Sequence, residues 1–423
     1  MNSSGDRTAL EKAQQSSVLS SNDSKSQADK KITLIDTVQF IYQLELAQLE
    51  LRSLGAQFNV KDGFREFELI DAEDEERIRK RVAHFKLVHG KYTDYFRIIA
   101  KKRTKAINQY LTHWFYPHAA KFHPQMIRSL LNVIGLRRGD TLLDPFIGSG
   151  TAALEAQLLG INCIGIDISP LCVLQSRVKT ESVEVLPRII EWKEEIMKST
   201  GPLSGNWGSR VDEVIDSILD ERVRNFYKMA KLIALSDQLK GMRGLSEAFS
   251  RRLELMILST EDLYRISKNL GLKLGTVDIR EGDSRDLPLR SESVDGIVTS
   301  PPYSIGLDYV VNDAHALKEL ECNTSEMREK CIGIRGKGRE RVDLYKEDVG
   351  KFLEETHRIL KCNGQAVVIA GNTTYLDHEA KIVKFIVNYA ERIGLRLTRN
   401  IDKGIFGVYN FMQKENILFF RKA

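Results

Sequence analysis

Hydrophobic positions along this chain follow two patterns, with a change near Pro124. Before it, from Ile35 to Leu54, apolar residues recur at helical spacing (Phe40, Ile41, Leu44, Leu46, Leu49, Leu51), and a second helical stretch is read over 72–106. After it, helical and short apolar runs alternate: a helix at 126–134, a strand at 141–144, a helix at 151–159 and a strand at 162–167. Strand, helix, strand in succession predicts a parallel sheet with crossover helices. A mostly helical stretch over 181–270, with amphipathic runs at 211–235 and 245–270, interrupts the alternation. Strands resume at about 272–281, 296–299, 366–370, 395–400 and 416–421.

These patterns divide the chain. Residues 1–30, rich in Ser, Asn, Asp, Gln and Lys, have too few large apolar side chains to offset the entropy of ordering and read as a disordered tail. A helical N-terminal extension is expected over 31–110, one half of an α/β core over 111–180, a helical insertion over 181–270 and the other half of the core over 271–423.

Composition narrows the class. A chain of 423 residues, 42% hydrophobic, buries a large core. A formal charge of +5 permits a nucleic-acid partner without demonstrating one. The five cysteines (Cys163, Cys172, Cys322, Cys331, Cys362) have no metal-ligand spacing and no disulfide framework, which suits a reducing compartment. His113, His118 and His123 also lack metal spacing, so no metal is expected and packing or phosphate contacts are. With no signal peptide and no apolar run of about 18 residues, a soluble cytoplasmic protein without membrane contact is the expectation. The stretch 72–106 interleaves many basic residues with Tyr92, Tyr95 and Phe96, as a solvated helix face or a phosphate-contacting one does.

The segment 142–151 reads LLDPFIGSGT: an apolar strand ending in Asp144, then Pro145, Phe146, Gly148, Gly150 and Thr151 at the start of a helix. Glycine lets backbone approach a ligand, and ligands sit beyond the carboxyl ends of parallel strands. A strand–GxG turn alone is a weak signal, but the next strand ends GIDIS, putting Asp167 and Ile168 at its tip. An acid there accepts hydrogen bonds from ribose hydroxyls. With GxGxxG incomplete and no P-loop lysine, an adenosine without phosphates fits better than a pyrophosphate. A third strand leads to Asp283, which is either an acceptor for an adenine amino group or an acidic turn residue.

The segment 294–303 reads VDGIVTSPPY. Pro301 and Pro302 stiffen the turn and lack N–H groups, so it presents acceptors: backbone carbonyls and the Ser300 hydroxyl. An amino group conjugated to a heterocycle is a poor nucleophile, and acceptors on its two protons favour its reactive pyramidal form. Tyr303 offers a ring for a base flipped from a duplex, against an unstacking cost of about a few kcal/mol.

Together these segments resemble the DNA amino-methyltransferases of the N4/N6 type, and TSPPY resembles the cytosine-N4 branch, since adenine-N6 enzymes usually carry Asp or Asn at the Ser300 position. The upstream segment WFYPHAAKFHPQ, 114–125, is similar to that family's additional cofactor motif. The resemblance covers roughly 114–180 and 275–421. It implies a class I, Rossmann-like methyltransferase core with a mainly parallel sheet, and S-adenosyl-L-methionine as cofactor. It further implies cofactor contacts from Lys121, Phe122, Asp144, Phe146, Gly148, Gly150 and Asp167, a catalytic turn of Ser300, Pro301, Pro302 and Tyr303, duplex DNA with a flipped base as substrate, and a possible cognate restriction endonuclease.

Alternatives within this chemistry are an adenine-N6 enzyme, an RNA guanine-N2 methyltransferase, which usually has Asp where Ser300 stands, and a non-catalytic nucleic-acid-binding subunit of the same fold. The glycine loop precedes the catalytic turn with about 90 inserted residues between them, unlike family members of reverse order, so target recognition is sought elsewhere. The basic segment 321–345, with Arg335, Lys337, Arg339 and Arg341, reads as a backbone-tracking loop or an ordinary surface loop; the insertion and the N-terminal extension are the other candidates.

Overall fold

The computed structural model describes residues 31–104, 106–117, 121–199, 207–239, 241, 244–303, 308–375, 378–404 and 414–423; the expected tail at 1–30 and His118 lie outside them. The chain forms two compact units, residues 1–97 and 98–423. Among the described residues no helix is long and apolar enough to cross a membrane.

The first unit differs from the helical extension expected for it. Helices α1 (Ile41–Ser53) and α2 (Glu75–Arg81) are present, but β1 (Lys31–Leu34), β2 (Ala56–Lys61), β3 (Glu66–Ala72), β4 (Phe85–Val88) and β5 (Lys91–Tyr92) form an antiparallel sheet of order β2-β3-β1-β4-β5. The long helix read over 72–106 is thus broken into α2, the β4–β5 hairpin and α3 (Asp94–Ile99). The breaks are turn chemistry: His89 and Gly90 have φ of 50° and 72°, the left-handed pair a tight hairpin requires, and Gly63 plays the same part between β2 and β3. Alternate burial of Phe67 and Leu69 on β3 is period-2 patterning that helical counting overlooked. Buried Glu50 ties α1 to this sheet, accepting the Ala83 N–H at 2.7 Å and contacting His84 Nδ1 at 3.2 Å.

In the second unit, α4 (Pro124–Val133), β6 (Thr141–Asp144), α5 (Thr151–Leu158), β7 (Asn162–Asp167) and α6 (Pro170–Glu181) follow the expected alternation. The insertion is helical as read: α7 (Leu186–Ser199), α8 (Trp207–Ser217), α9 (Glu221–Leu239) and α10 (Leu245–Asn269). The run 211–235 is two helices, since Asp220 interrupts it and its Oδ1 accepts the Arg222 N–H at 2.9 Å. Then come β8 (Val277–Glu281), β9 (Val294–Thr299), α11 (Tyr309–Asn312), α12 (Ala314–Glu319), α13 (Thr324–Lys330), α14 (Gly338–Ile359), β10 (Leu360–Gly371), the small pair β11 (Thr373–Tyr375) and β12 (His378–Ala380), α15 (Ile382–Arg392), β13 (Leu395–Gly404) and β14 (Lys414–Lys422).

The main sheet has the order β13-β14-β10-β9-β6-β7-β8, parallel except that β14 runs against both its neighbours. This is the class I methyltransferase topology implied by the sequence. Val294, Ile297, Ala366, Val368 and Ala370 contribute to a core closed by Val349, Phe352 and Leu353 of α14 and Ile386 and Ala390 of α15. A second core joins the insertion to the cofactor half: Val223, Phe226 and Met229 of α9 and Leu253 and Met256 of α10 pack with Leu171, Leu174 and Val178 of α6 and with Trp114 and Phe115. The Trp114 indole N–H donates to Ser259 Oγ at 2.8 Å, seating the 111–116 segment against α10.

Behind the glycine loop lies a buried polar cluster. Glu155 of α5 accepts the Tyr110 hydroxyl at 2.5 Å, contacts His113 Nε2 at 2.9 Å and receives Arg128 Nη1 at 3.4 Å. Burial raises the cost of its charge, but these donors more than offset it and hold the Glu155 carboxyl below its usual range; His113, desolvated, is pushed down to about 4. Removing one partner from a buried ion pair strands the other, so Glu155→Ala is expected to destabilise the protein by about 3–5 kcal/mol. Urea denaturation should show a lower midpoint at unchanged slope, and a loss below about 1 kcal/mol contradicts the cluster's role.

Candidate active site

The site forms where the sheet changes its direction of growth. β6 is paired with β7 on one side and β9 on the other, so the chain winds outward both ways from it and leaves a crevice beyond the strand ends. The three strand tips carry Asp144, Asp167 and Thr299, and the turn Ser300–Tyr303 follows the last of these.

Asp144 is fully buried. Its Oδ1 accepts the Thr299 hydroxyl at 2.6 Å and the Phe146 N–H at 3.2 Å, joining the glycine-loop strand to the strand of the proline turn. Its Oδ2 is buried and has no protein partner. Burial pushes the carboxyl up to about 7.

Asp167 fastens the glycine loop from the next strand. Its Oδ2 accepts the Gly148 N–H and its Oδ1 the Ser169 N–H, both at 2.9 Å. Burial outweighs these bonds and pushes it up to about 6. The ribose contact expected of Asp167 is therefore shared with a structural duty.

Gly148 and Gly150 adopt φ of 47° and 73°. At Gly150 the constraint is packing, because a Cβ there would lie 2.9 Å from Ser176 Cα, so this glycine serves helix contact and not ligand approach. From α6, Gln175 and Ser176 donate to the Gly148 carbonyl at 3.1 and 3.0 Å, and buried Lys179 donates to the Ser149 carbonyl at 2.5 Å. Burial drives the Lys179 ammonium well below its ordinary value. Pro145, Thr151 and Pro301 are buried, whereas Phe146, Gly148, Asp167, Ile168, Ser300, Pro302 and Tyr303 remain partly open.

Other expected contacts have different partners. Lys121 donates to the His113 and Asn108 carbonyls, at 2.5 and 3.4 Å, so its head group clamps the segment before it; Phe122 is half-buried. Burial brings the Lys121 ammonium down to about 8. Asp283 is bound by Arg285 through backbone N–H and guanidinium at 2.9 and 2.5 Å, the turn reading of that acid, and Arg285 also reaches Asp348 at 2.8 Å. The expected basic loop 321–345 is largely helical, in α13 and the start of α14. Arg335 pairs with Asp348 at 2.5 Å and Arg341 bonds the Gly336 carbonyl at 3.3 Å, leaving Lys337 and Arg339 as its exposed cations. In the N-terminal unit Arg79 is likewise held by Glu76 at 2.6 Å and Asp94 at 3.3 Å.

The Tyr303 hydroxyl donates to Glu415 at the start of β14 and is in hydrogen-bond contact with the Ser300 hydroxyl. Burial first, then the Glu415 charge, pushes the Tyr303 phenol well above its usual range. Sequence reading did not find Glu415, Gln175, Ser176, Lys179 or Thr299. The only signal for the α6 residues was a polar set at 175, 176 and 179 within a helix otherwise contributing to the core. Glu415 had none, being 112 residues from its partner.

Comparison with known proteins agrees with this topology. The N6/N4 DNA methylase family matches residues 24–176, which include the glycine loop and Asp167. The chain is 26% identical over 318 residues to the type II methyltransferase M.BsoBI of Geobacillus stearothermophilus, covering 60% of this chain and 61% of that one. It is 33% identical over 130 residues to M.MjaII of Methanocaldococcus jannaschii (30% and 22%) and 24% identical over 241 residues to M.MvaI of Kocuria varians (46% and 53%). The chain thus spans less than two thirds of the length of each of these relatives. With the glycine loop, the second-strand acid and the proline turn assembled at one switch point, the chain belongs to the N6/N4 family of DNA methylases, whose methyl donor is S-adenosyl-L-methionine.

Proposed function

We propose that this protein methylates an exocyclic amino group of a DNA base, with cytosine N4 as the target. The observation that carries the reading is Ser300: a hydroxyl opening a stiff proline turn at the tip of β9, one residue from the Thr299 that bonds the glycine-loop strand. A serine at this place resembles the cytosine-N4 branch, and adenine N6 is the alternative.

The residues fit the cofactor. Asp144 Oδ2, buried and lacking a protein donor, suits the cofactor's ammonium, and Asp167 keeps lone pairs for ribose hydroxyls beyond those taken by Gly148 and Ser169. When bound, S-adenosyl-L-methionine supplies an electrophilic methyl group. Ser300 Oγ and the turn's carbonyls accept the two protons of the target amino group, which turns its lone pair toward the incoming carbon. Tyr303 lends its ring face to the flipped base, and fixed placement of nucleophile against electrophile lowers the barrier without a covalent enzyme intermediate. A duplex DNA partner, a cognate restriction endonuclease and a cytoplasmic location belong to the same proposal.

Incubation with methyl-tritiated S-adenosyl-L-methionine and unmodified duplex DNA, followed by digestion to nucleosides, should label N4-methylcytosine. Labelled N6-methyladenine corrects the base, and label in total RNA alone overturns the DNA reading. Ser300→Ala should keep cofactor binding and lose most methylation; unchanged turnover removes the turn from the mechanism. Asp167→Ala should weaken cofactor binding by about 1–3 kcal/mol in calorimetry. Because the Asp144 carboxyl titrates near about 7, cofactor affinity should rise as pH climbs through that value and the carboxylate forms. It should fall again above about 8, where an α-amino group loses its charge. Asp144→Asn should abolish the rise, and a rise that survives the substitution assigns it to another group.

A further inference from the structure

Glu415 stands at the end of a polar chain that begins in the catalytic turn. It opens β14, opposite Gly371 of β10 and Lys403 of β13, so its backbone is held on both sides. One carboxylate oxygen receives the Tyr303 hydroxyl and the other the Lys403 ammonium. The Lys403 and Glu415 side chains are only 19% and 12% exposed.

The direction of the chain follows from counting protons. A carboxylate paired with an ammonium only accepts, so Tyr303 commits its single O–H to Glu415. The phenol oxygen then has only lone pairs left, and the Ser300 hydroxyl bonded to it must be the donor. Ser300 Oγ is thereby left as a pure acceptor. An amino group that must give up hydrogen bonds from its N–H groups needs such an atom; a serine whose O–H pointed at the base would compete for the nitrogen lone pair.

We infer that Glu415 is a positioning residue for methyl transfer: through Tyr303 it fixes the polarity of the Ser300 hydroxyl, so that Ser300 accepts from the target amino group. This rests on reading residues 300–303 as the catalytic turn. Lys403 sharpens the consequence of an isosteric change. In Glu415→Gln the lysine takes the amide oxygen, the amide NH2 faces Tyr303 as a donor, and the chain reverses.

The test is steady-state methylation of unmodified duplex DNA of high sequence complexity by the full-length protein, with cofactor affinity measured by calorimetry. Glu415→Gln and Tyr303→Phe are each expected to lower kcat roughly tenfold, the size of one hydrogen bond lost in the transition state. KM for DNA and cofactor Kd should stay unchanged, since phenylalanine keeps the ring. The double variant should be no slower than the slower single one, because both break the same chain. Wild-type kcat in Tyr303→Phe, or losses that multiply in the double variant, overturn the inference. If Glu415→Gln no longer binds cofactor, Tyr303→Phe alone decides by the same criterion. Ser300→Ala, run alongside, separates the two levels: full activity there removes the catalytic turn itself, whereas its inactivity beside a fully active Tyr303→Phe removes only the role of Glu415.

Discussion

The hydrogen bond from the Thr299 hydroxyl to Asp144 Oδ1, 2.6 Å long and wholly buried, ties together the two halves of the site. It spans 155 residues of sequence and the whole helical insertion. The adjacent parallel pairing of Leu142 with Gly296 and Leu143 with Ile297 fixes its register. Were β9 to slip by one residue, Thr299 would face the opposite side of the sheet, and the proline turn would lose its place beside the glycine loop. The pairing also leaves Asp144 half satisfied: one oxygen is spent on structure, and the other is buried without a donor. A carboxylate in that state is costly in the ligand-free protein, which is why its proton is held to about 7 and why a cationic ligand has something to gain there.

Loop geometry is secured from behind by charge buried at some expense. Gln175, Ser176 and Lys179 hold the carbonyls of Gly148 and Ser149, while Asp167 holds the Gly148 N–H from the front. Lys179 accepts desolvation to do this, and Lys121 spends its head group on the His113 carbonyl. Glu155 sits among Tyr110, His113 and Arg128 next to these cations. A polar network of this kind adds little net stability compared with an apolar core, but every member fully bonded specifies one arrangement of the loop. The insertion contributes to that rigidity: its helices pack on the outer face of α6 and on Trp114 and Phe115, the segment that delivers His113. Its large shared core makes it part of the scaffold of the cofactor half.

Legibility in the sequence tracked how local the determining interaction is. The strands 141–144 and 162–167 were read to the residue, because their apolar runs end in Asp144 and Asp167 and are punctuated by glycines. The N-terminal unit was misread because its hairpins depend on two-residue turns, His89–Gly90 and the one containing Gly63, within a stretch dense in helix-favouring charged residues. The basic segment 321–345 was legible as charge and illegible as structure: Asp348, three residues beyond it, takes Arg335 out of circulation.

The sequence by itself determined the class of the core, the order of its elements and the two motifs of its site, because each is encoded in contiguous residues whose periodicity, turns and strand-end acids act locally. Only the tertiary structure decided what those residues touch. Lys121 turned inward to a carbonyl and Asp283 to Arg285, while Gly150 proved to be a packing glycine and Glu415 joined Tyr303 across 112 residues. The reason is that a side chain's partner is set by sheet order and helix packing, which bring distant segments together. No reading of spacing along one chain measures the distance between β9 and β14, two strands that are separated in the sheet by β10.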